Sequence, residues 1–338
     1  MKNIGVIGGG LIGASWAAIF SKSGFNVFVY DPFPDVFDTY KSRVTSFLEE
    51  LKSIDETINV EESLNRINAN VTIEDLCSNV EYIQESAPEI LSVKQELFAK
   101  LDNLAPEEVV IGSSSSAMPI SSITQNLKGQ HRCIITHPAN PPHLIPCVEI
   151  CPGANTSEKT IEKTKEIFTA SGASIVNVKK EIDGFILNRL QGALLNEAMR
   201  LYSDGYASSD EIDATIRDGL GLRWAFMGPF ETIDLNAPGG IKDYISRYGP
   251  IFVEMAKNQT KIPDWSEEAG EKLELERRKI LSHDELEGRA KKRNQLLKSL
   301  RKDKIDTVSY THLRAHETPE HRGWPQRREK KRGGGGGG

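Results

Sequence analysis

The run Gly8-Gly9-Gly10-Leu11-Ile12-Gly13 constrains this chain more tightly than any other stretch. A short apolar segment, residues 2–7, leads into it, and Leu11, Ile12, Ser15, Trp16, Ile19 and Phe20 follow at helical spacing. This order predicts a strand, a tight turn and a helix. The β-rich stretch 26–30, closed by Asp31 and Pro32, completes a βαβ unit. Taken alone, the glycines also fit an ordinary turn, and Asp31 also fits a turn-capping role before Pro32. Their combination points to a dinucleotide site. Gly8 permits the tight turn, Gly10 lets backbone approach a pyrophosphate, and Gly13 allows close strand–helix packing. The helix start at Leu11 and Ile12 offers N–H groups and a positive dipole end. An acid at Asp31 hydrogen-bonds ribose hydroxyls and repels a 2′-phosphate, so the expected cofactor is NAD rather than NADP.

Beyond this unit, strand candidates at 71–73, 82–84, 109–112, 133–136 and 148–150 alternate with helical stretches such as 37–64 and 91–101. That alternation predicts an α/β fold: a Rossmann-type, doubly wound and largely parallel sheet over residues 1–180. After Glu181 strand-like segments almost vanish. An amphipathic run covers 182–202, Ser208 and Glu211 form an S-x-x-E capping box, and the charged segment 267–304 reads as one solvated closing helix. A C-terminal all-helical domain is therefore expected over 181–307.

The last 31 residues break the pattern: 308–338 hold seven basic and three acidic side chains and end in six glycines. The run VSYTHLRAHET resembles the translation of a transposase adaptor used in short-read DNA sequencing, and the glycines resemble a poly-G read. This segment is expected to be a disordered artefact rather than part of the gene product, although a basic flexible tail has the same composition. Without it the chain keeps 35 basic and 45 acidic residues, a formal charge of −10, which argues against nucleic acid as a partner. No apolar run reaches the ~18 residues of a membrane helix, and the N-terminus lacks the regions of a signal peptide. Cys77, Cys133, Cys147 and Cys151 have no metal or redox spacing, so reduced thiols, a cytoplasmic location and no metal are expected.

Three later segments carry the chemistry. Ser113-Ser114-Ser115-Ser116 follows the strand candidate VVIG, at the end where open α/β sheets place ligands. His137 opens HPANPP after CIIT, and Glu149 lies twelve residues on in VEI. The third segment, GFILNR with Asn188, opens the helical domain. Oxidising a secondary alcohol needs a base for the hydroxyl proton. A histidine oriented by a carboxylate supplies one, although a single His and Glu at this spacing are more often structural.

In this order and spacing, GVIGGGLIG with Asp31, SSSSAM, HPANPPHLIPCVEI and DGFILNRL resemble the 3-hydroxyacyl-CoA dehydrogenase superfamily over residues 1 to about 307. The resemblance implies that His137 is the catalytic base and Glu149 its partner. It also implies that Ser116 and Asn188 contact the reacting oxygen, that Asn140 holds substrate and histidine geometry, and that Glu89 and Lys94 contact cofactor. HPANPP lacks the two aromatics usual before the Asn, and residues 219–240 also differ from the CoA-type enzymes. Both features resemble the lambda-crystallin or L-gulonate 3-dehydrogenase branch, which implies a small hydroxy acid substrate, L-gulonate first, and a homodimer formed through the helical domain. Arg223 is the candidate cation for the substrate carboxylate, the alternative being a pair with a neighbouring acid. Other expectations kept open are a 3-hydroxyacyl-CoA substrate, L-carnitine with Trp224 or Phe226 at its ammonium, and a non-catalytic NAD-binding structural protein.

Overall fold

The computed structural model describes residues 2–315. Eight strands form one sheet: β1 (Asn3–Ile7), β2 (Asn26–Tyr30), β3 (Ile67–Ala69), β4 (Tyr82–Glu85), β5 (Val110–Ser113), β6 (Cys133–Pro138), β7 (Cys147–Pro152) and β8 (Ser174–Asn177). Their spatial order is β3-β2-β1-β4-β5-β6-β7-β8. The first six run parallel, β7 runs antiparallel to β6, and β8 runs parallel to β7. The chain reverses direction across the sheet between β1 and β4, so the crevice for a ligand opens at their carboxyl ends.

Side-chain alternation along the strands feeds two cores, one on each face. Ile4 and Val6 join Trp16, Phe20, Val44, Leu48 and Phe168 on one side. Ile7, Ile83 and Ile111 join Leu76, Phe98 and Leu101 on the other. On the first face Trp16 stacks on Phe20 at 5.5 Å and meets the edge of Phe168 at 5.4 Å, which seats the helix Leu11–Lys22 against the sheet. That seating also requires Gly13, because a Cβ there would lie 1.8 Å from the Gly8 carbonyl oxygen.

From Leu187 onward every regular element among the described residues is helical. The capping box at the helix Ser209–Ala214 forms as expected: Ser208 accepts from the Glu211 N–H, and Glu211 accepts from the Ser208 N–H. Several expectations need correction. Residues 71–73 are not a strand, because the Thr72 hydroxyl accepts from the Asp75 N–H and caps the helix Ile73–Asn79; the third strand lies earlier, at β3. The segment 267–304 is not one helix, since a second capping box, between Ser282 and Glu285, separates Glu267–Ile280 from Leu286–Ala315. That last helix enters the expected artefact segment and runs to Ala315. No Gly or Pro interrupts it there, and adding residues to an existing helix is easy once its first turn has formed. Residues 316–338 lie outside the described residues.

The last helix also anchors to the sheet domain. His143 sits buried between Ser15, at 3.2 Å, and Glu50, at 2.7 Å, with Phe47 stacked on its ring. Arg301 donates to the His143 carbonyl at 2.6 Å, and Lys302 reaches Glu56. Gly13→Ala is expected to cost about 1–3 kcal/mol by forcing the first helix off its turn. It should also weaken NAD binding at least tenfold, as checked by chemical denaturation and NAD titration calorimetry.

Candidate active site

The carboxyl ends of β1, β4, β5 and β6 bring the sequence-predicted residues together. At the glycine turn Gly8 has a φ of +99°, and its N–H donates to the Tyr30 carbonyl, closing the turn on β2. Gly10 caps the helix Leu11–Lys22 with no side-chain hydrogen bond, and a Cβ there would meet nothing within 4 Å. The first N–H groups of that helix therefore face open space, with Leu11 exposed and Ile12 half-buried. The Asp31 carboxylate accepts from the Gly9 N–H at 2.7 Å on one oxygen and from the Phe33 N–H at 2.9 Å on the other. Each oxygen keeps a lone pair for a further donor. An uncapped helix start, a glycine cradle without side chains and an acid at the end of β2 together fit a dinucleotide with free ribose hydroxyls.

The four consecutive serines divide by role. Ser113 Oγ donates to Glu85. Ser114 Oγ receives the Trp16 indole N–H at 3.0 Å and the Gln84 amide at 2.7 Å, and Ser115 Oγ donates to Glu89 at 2.6 Å. Ser116 alone is exposed, and its hydroxyl makes no hydrogen bond among the described residues. Its backbone is fixed nonetheless: the N–H groups of Ser116 and Ala117 donate to Glu89 Oε1 at 2.8 and 3.2 Å. Asn188 Nδ2 donates to the Ser116 carbonyl at 2.7 Å. That bond ties Ser116 to the first turn of the helix Leu187–Ser203 and leaves the Asn188 side-chain oxygen without a hydrogen bond among the described residues.

His137 and Glu149 are directly opposite each other in the antiparallel β6–β7 ladder. Register therefore sets their pairing, and side chains at opposed positions share one face of the sheet. His137 Nδ1 lies 2.8 Å from Glu149 Oε2, with both residues buried. The other oxygen, Oε1, accepts the N–H groups of Ile186 and Leu187, each at 2.9 Å. These are the first N–H groups of the helix Leu187–Ser203, which has no capping side chain of its own. Burial pushes the Glu149 pKa up, but the His137 hydrogen bond, the two backbone donors and the charge of His137 outweigh it, so the carboxyl ionises below the usual range. With Glu149 ionised, Nδ1 carries the ring hydrogen and donates it, and the Nε2 lone pair is left as the basic atom. The buried Phe185 ring stands 5.5 Å from the imidazole; its φ is +52°, and that of the preceding Gly184 is +73°. Sequence reasoning did not single out Phe185; an aromatic residue directly after a glycine at the domain junction was the available signal.

Other predicted residues fall differently. Glu89 meets the serine turn, and burial, which raises its pKa, is outweighed by the Ser115 hydroxyl, the Lys94 charge and the two backbone donors. Lys94 is only 1% exposed and lies behind Glu89, where its ammonium is taken up by Glu85, Glu89 and the Ala87 carbonyl. Asn140 is exposed after β6, and its side chain has no partner among the described residues. Arg223, in the helix Gly221–Trp224, is also exposed and unpaired among them, and no contact joins it to His137, Ser116 or Asn188.

A family model described as 3-hydroxyacyl-CoA dehydrogenase, NAD binding domain, matches residues 3–182, and its C-terminal domain model matches 184–281. The chain is 38% identical over 309 residues to lambda-crystallin of Oryctolagus cuniculus, covering 88% of this chain and 94% of that one. It is 39% identical over 253 residues to L-carnitine dehydrogenase of Pseudomonas putida, covering 75% and 78%. Among solved structures, an NAD+-dependent dismutase, 5-formyl-3-hydroxy-2-methylpyridine 4-carboxylic acid 5-dehydrogenase, superposes with a TM-score of 0.78. At 24% identity, over 89% of this chain and 97% of that one, it shares the fold.

Because the Glu149 pKa is depressed by folding, its charge stabilises the fold fully above the unfolded carboxylate pKa of about 4.3. That stabilisation is lost as pH falls through the lower folded value. Glu149→Gln is therefore expected to lower Tm near neutral pH, with the gap to wild type closing below about pH 4. Thermal melts across that range check it; a pH-independent gap counts against an ionised Glu149.

Proposed function

This chain belongs to the 3-hydroxyacyl-CoA dehydrogenase family and is an NAD-dependent dehydrogenase acting on CH–OH groups; from that premise we propose that it oxidises the 3-hydroxyl of a small, free hydroxy acid, L-gulonate first, to the 3-keto acid. The observation that carries the reading is the convergence of a buried His137–Glu149 pair with one unbonded serine hydroxyl, Ser116, beside Asn188. The substrate hydroxyl donates its proton to His137 Nε2. Glu149, held by the helix start, steadies the imidazolium that forms. Ser116 Oγ and the Asn188 side chain hold the reacting oxygen, and their fixed backbone keeps that geometry without reorganisation. The glycine turn and Asp31 would hold NAD, which would supply the acceptor for hydride. Glu89 completes the cofactor side of the cleft, and Asn140 faces the substrate side.

The preference for a free acid over a CoA thioester rests on the HPANPP loop, which lacks the aromatics of the CoA-type motif, and on similarity to lambda-crystallin over most of both chains. Arg223, exposed and unpaired among the described residues, is the cation we assign to the substrate carboxylate. A second reading, L-carnitine oxidation, is favoured by exposed Trp224 and Phe226, which a quaternary ammonium would seek, and by the L-carnitine dehydrogenase relative. Four free cysteines suit a reducing, cytoplasmic setting, and no helix among the described residues is long and apolar enough to cross a membrane.

We also propose a homodimer. The helices Leu187–Ser203 and Gly240–Asn258 leave Leu190, Leu195, Ile251, Phe252 and Val253 exposed, large apolar side chains that an isologous contact would cover.

NAD reduction with L-gulonate, L-carnitine and 3-hydroxybutyryl-CoA in parallel tests the assignment, and a clear preference for the thioester refutes the small-acid reading. His137→Ala should keep NAD affinity within about threefold and lower kcat by about 10²- to 10⁴-fold. Light scattering on Phe252→Glu should show a shift from dimer to monomer; an unchanged mass refutes this interface.

A further inference from the structure

Glu85 ends β4 with its side chain wholly buried, and nothing in the proposed reaction uses it. A buried carboxylate needs a full set of donors, and the set around Glu85 is directional. Oε1 accepts from Lys94 Nζ at 2.7 Å and from the Ala87 N–H at 2.6 Å, and Oε2 accepts from Ser113 Oγ. Two arms run from it into the serine turn. Along the first, Lys94 also contacts Glu89 Oε2 at 3.4 Å, and Glu89 Oε1 in turn gathers the Ser115 hydroxyl and the N–H groups of Ser116 and Ala117. Along the second, Ser113 Oγ accepts the Ser115 N–H at 3.2 Å. The Glu85 carbonyl adds a third tie, accepting the Ser114 N–H at 2.8 Å.

From this connectivity we infer that Glu85 is a positioning residue for Ser116, acting through Lys94 and Glu89 on one side and Ser113 on the other to hold the turn that presents the free hydroxyl. The inference rests on the role given to Ser116 above. Lys94 lies between two carboxylates that would otherwise repel each other. Removing the charge of Glu85 leaves the lysine to pair with Glu89 alone, and a closer approach to Oε2 pulls that carboxylate away from the three donors held on its Oε1. A hydroxyl displaced by a fraction of an ångström loses its alignment on the reacting oxygen, whereas the glycine turn and Asp31, to which the Glu85 side chain makes no hydrogen bond among the described residues, keep their own contacts.

The test is a double-mutant cycle on the full chain, using NAD and whichever of the three substrates above turns over best. Glu85→Gln is expected to lower kcat about 10- to 100-fold while the KM for NAD changes by less than about threefold. In a Ser116→Ala background the same change should lower kcat by less than about threefold, because the hydroxyl it positions is gone. Should Glu85→Gln not fold, as judged by near-ultraviolet circular dichroism, Glu85→Asp, too short to span both arms, takes its place with the same criteria. Equal losses in the two backgrounds, or no loss in the first, overturn the inference and leave Ser116 its role. A Ser116→Ala variant with unchanged kcat overturns the role of Ser116 and the inference together.

Discussion

One antiparallel pairing, β6 against β7, organises the functional half of this molecule. It places His137 opposite Glu149 across the ladder, so the geometry of the pair follows from strand register. A slip of one strand by one residue would turn one of the two side chains to the opposite face of the sheet and break the pair. The same carboxylate caps the first helix of the second domain through Ile186 and Leu187. Glu149 thereby joins three structures: the sheet, His137 and the helix that carries Asn188. Its two oxygens divide the work, and its depressed pKa reflects that donors on both sides outweigh the cost of burial.

A similar balance shapes the serine turn. Burying Glu85 and Lys94 in a sheet domain is costly unless every donor and acceptor is met, and the network meets them with neighbouring carboxylates, hydroxyls and backbone groups. Three of the four serines are consumed in this way, and that is what isolates the fourth. Specificity of position here comes from saturation: a hydroxyl with no internal partner remains only where its neighbours have been used up.

Much of this was legible in the sequence because it depends on local chemistry. The glycine turn with Asp31, the Ser208 capping box and the α/β alternation each rest on short-range steric or hydrogen-bonding rules, and each has its expected form. Where the reading failed, competing local signals had been passed over. Thr72 with Asp75 was a cap and outranked the β-branched run around it, and Ser282 with Glu285 marked a break in a charged stretch that looked continuous. The edge strand β8 is short and half-exposed, with little pattern to betray it. Burial of Lys94 was not legible at all, since a lysine near a binding motif reads as a surface cation until the fold supplies two carboxylates behind it. Nor does sequence spacing bring Arg223 to the site: it lies across a domain junction, and its placement depends on tertiary packing.

That junction carries strain of its own. Gly184 takes a positive φ without steric penalty, but Phe185, also left-handed, bears a cost of about 1–2 kcal/mol that its Cβ imposes. The surroundings hold it there: the ring is wholly buried against His137, and the chain turns at once into the helix that Glu149 caps. The Gly184 N–H bonds the Ala117 carbonyl, and Asn188 bonds that of Ser116, so the same bend is tied to the serine turn. A relaxed backbone at Phe185 would redirect the helix start, withdrawing two donors from Glu149 and one from Ser116 together. The bend therefore makes His137, Glu149, Ser116 and Asn188 a single mechanical unit, in which the position of the helix Leu187–Ser203 and the charge of Glu149 are linked through one short stretch of backbone.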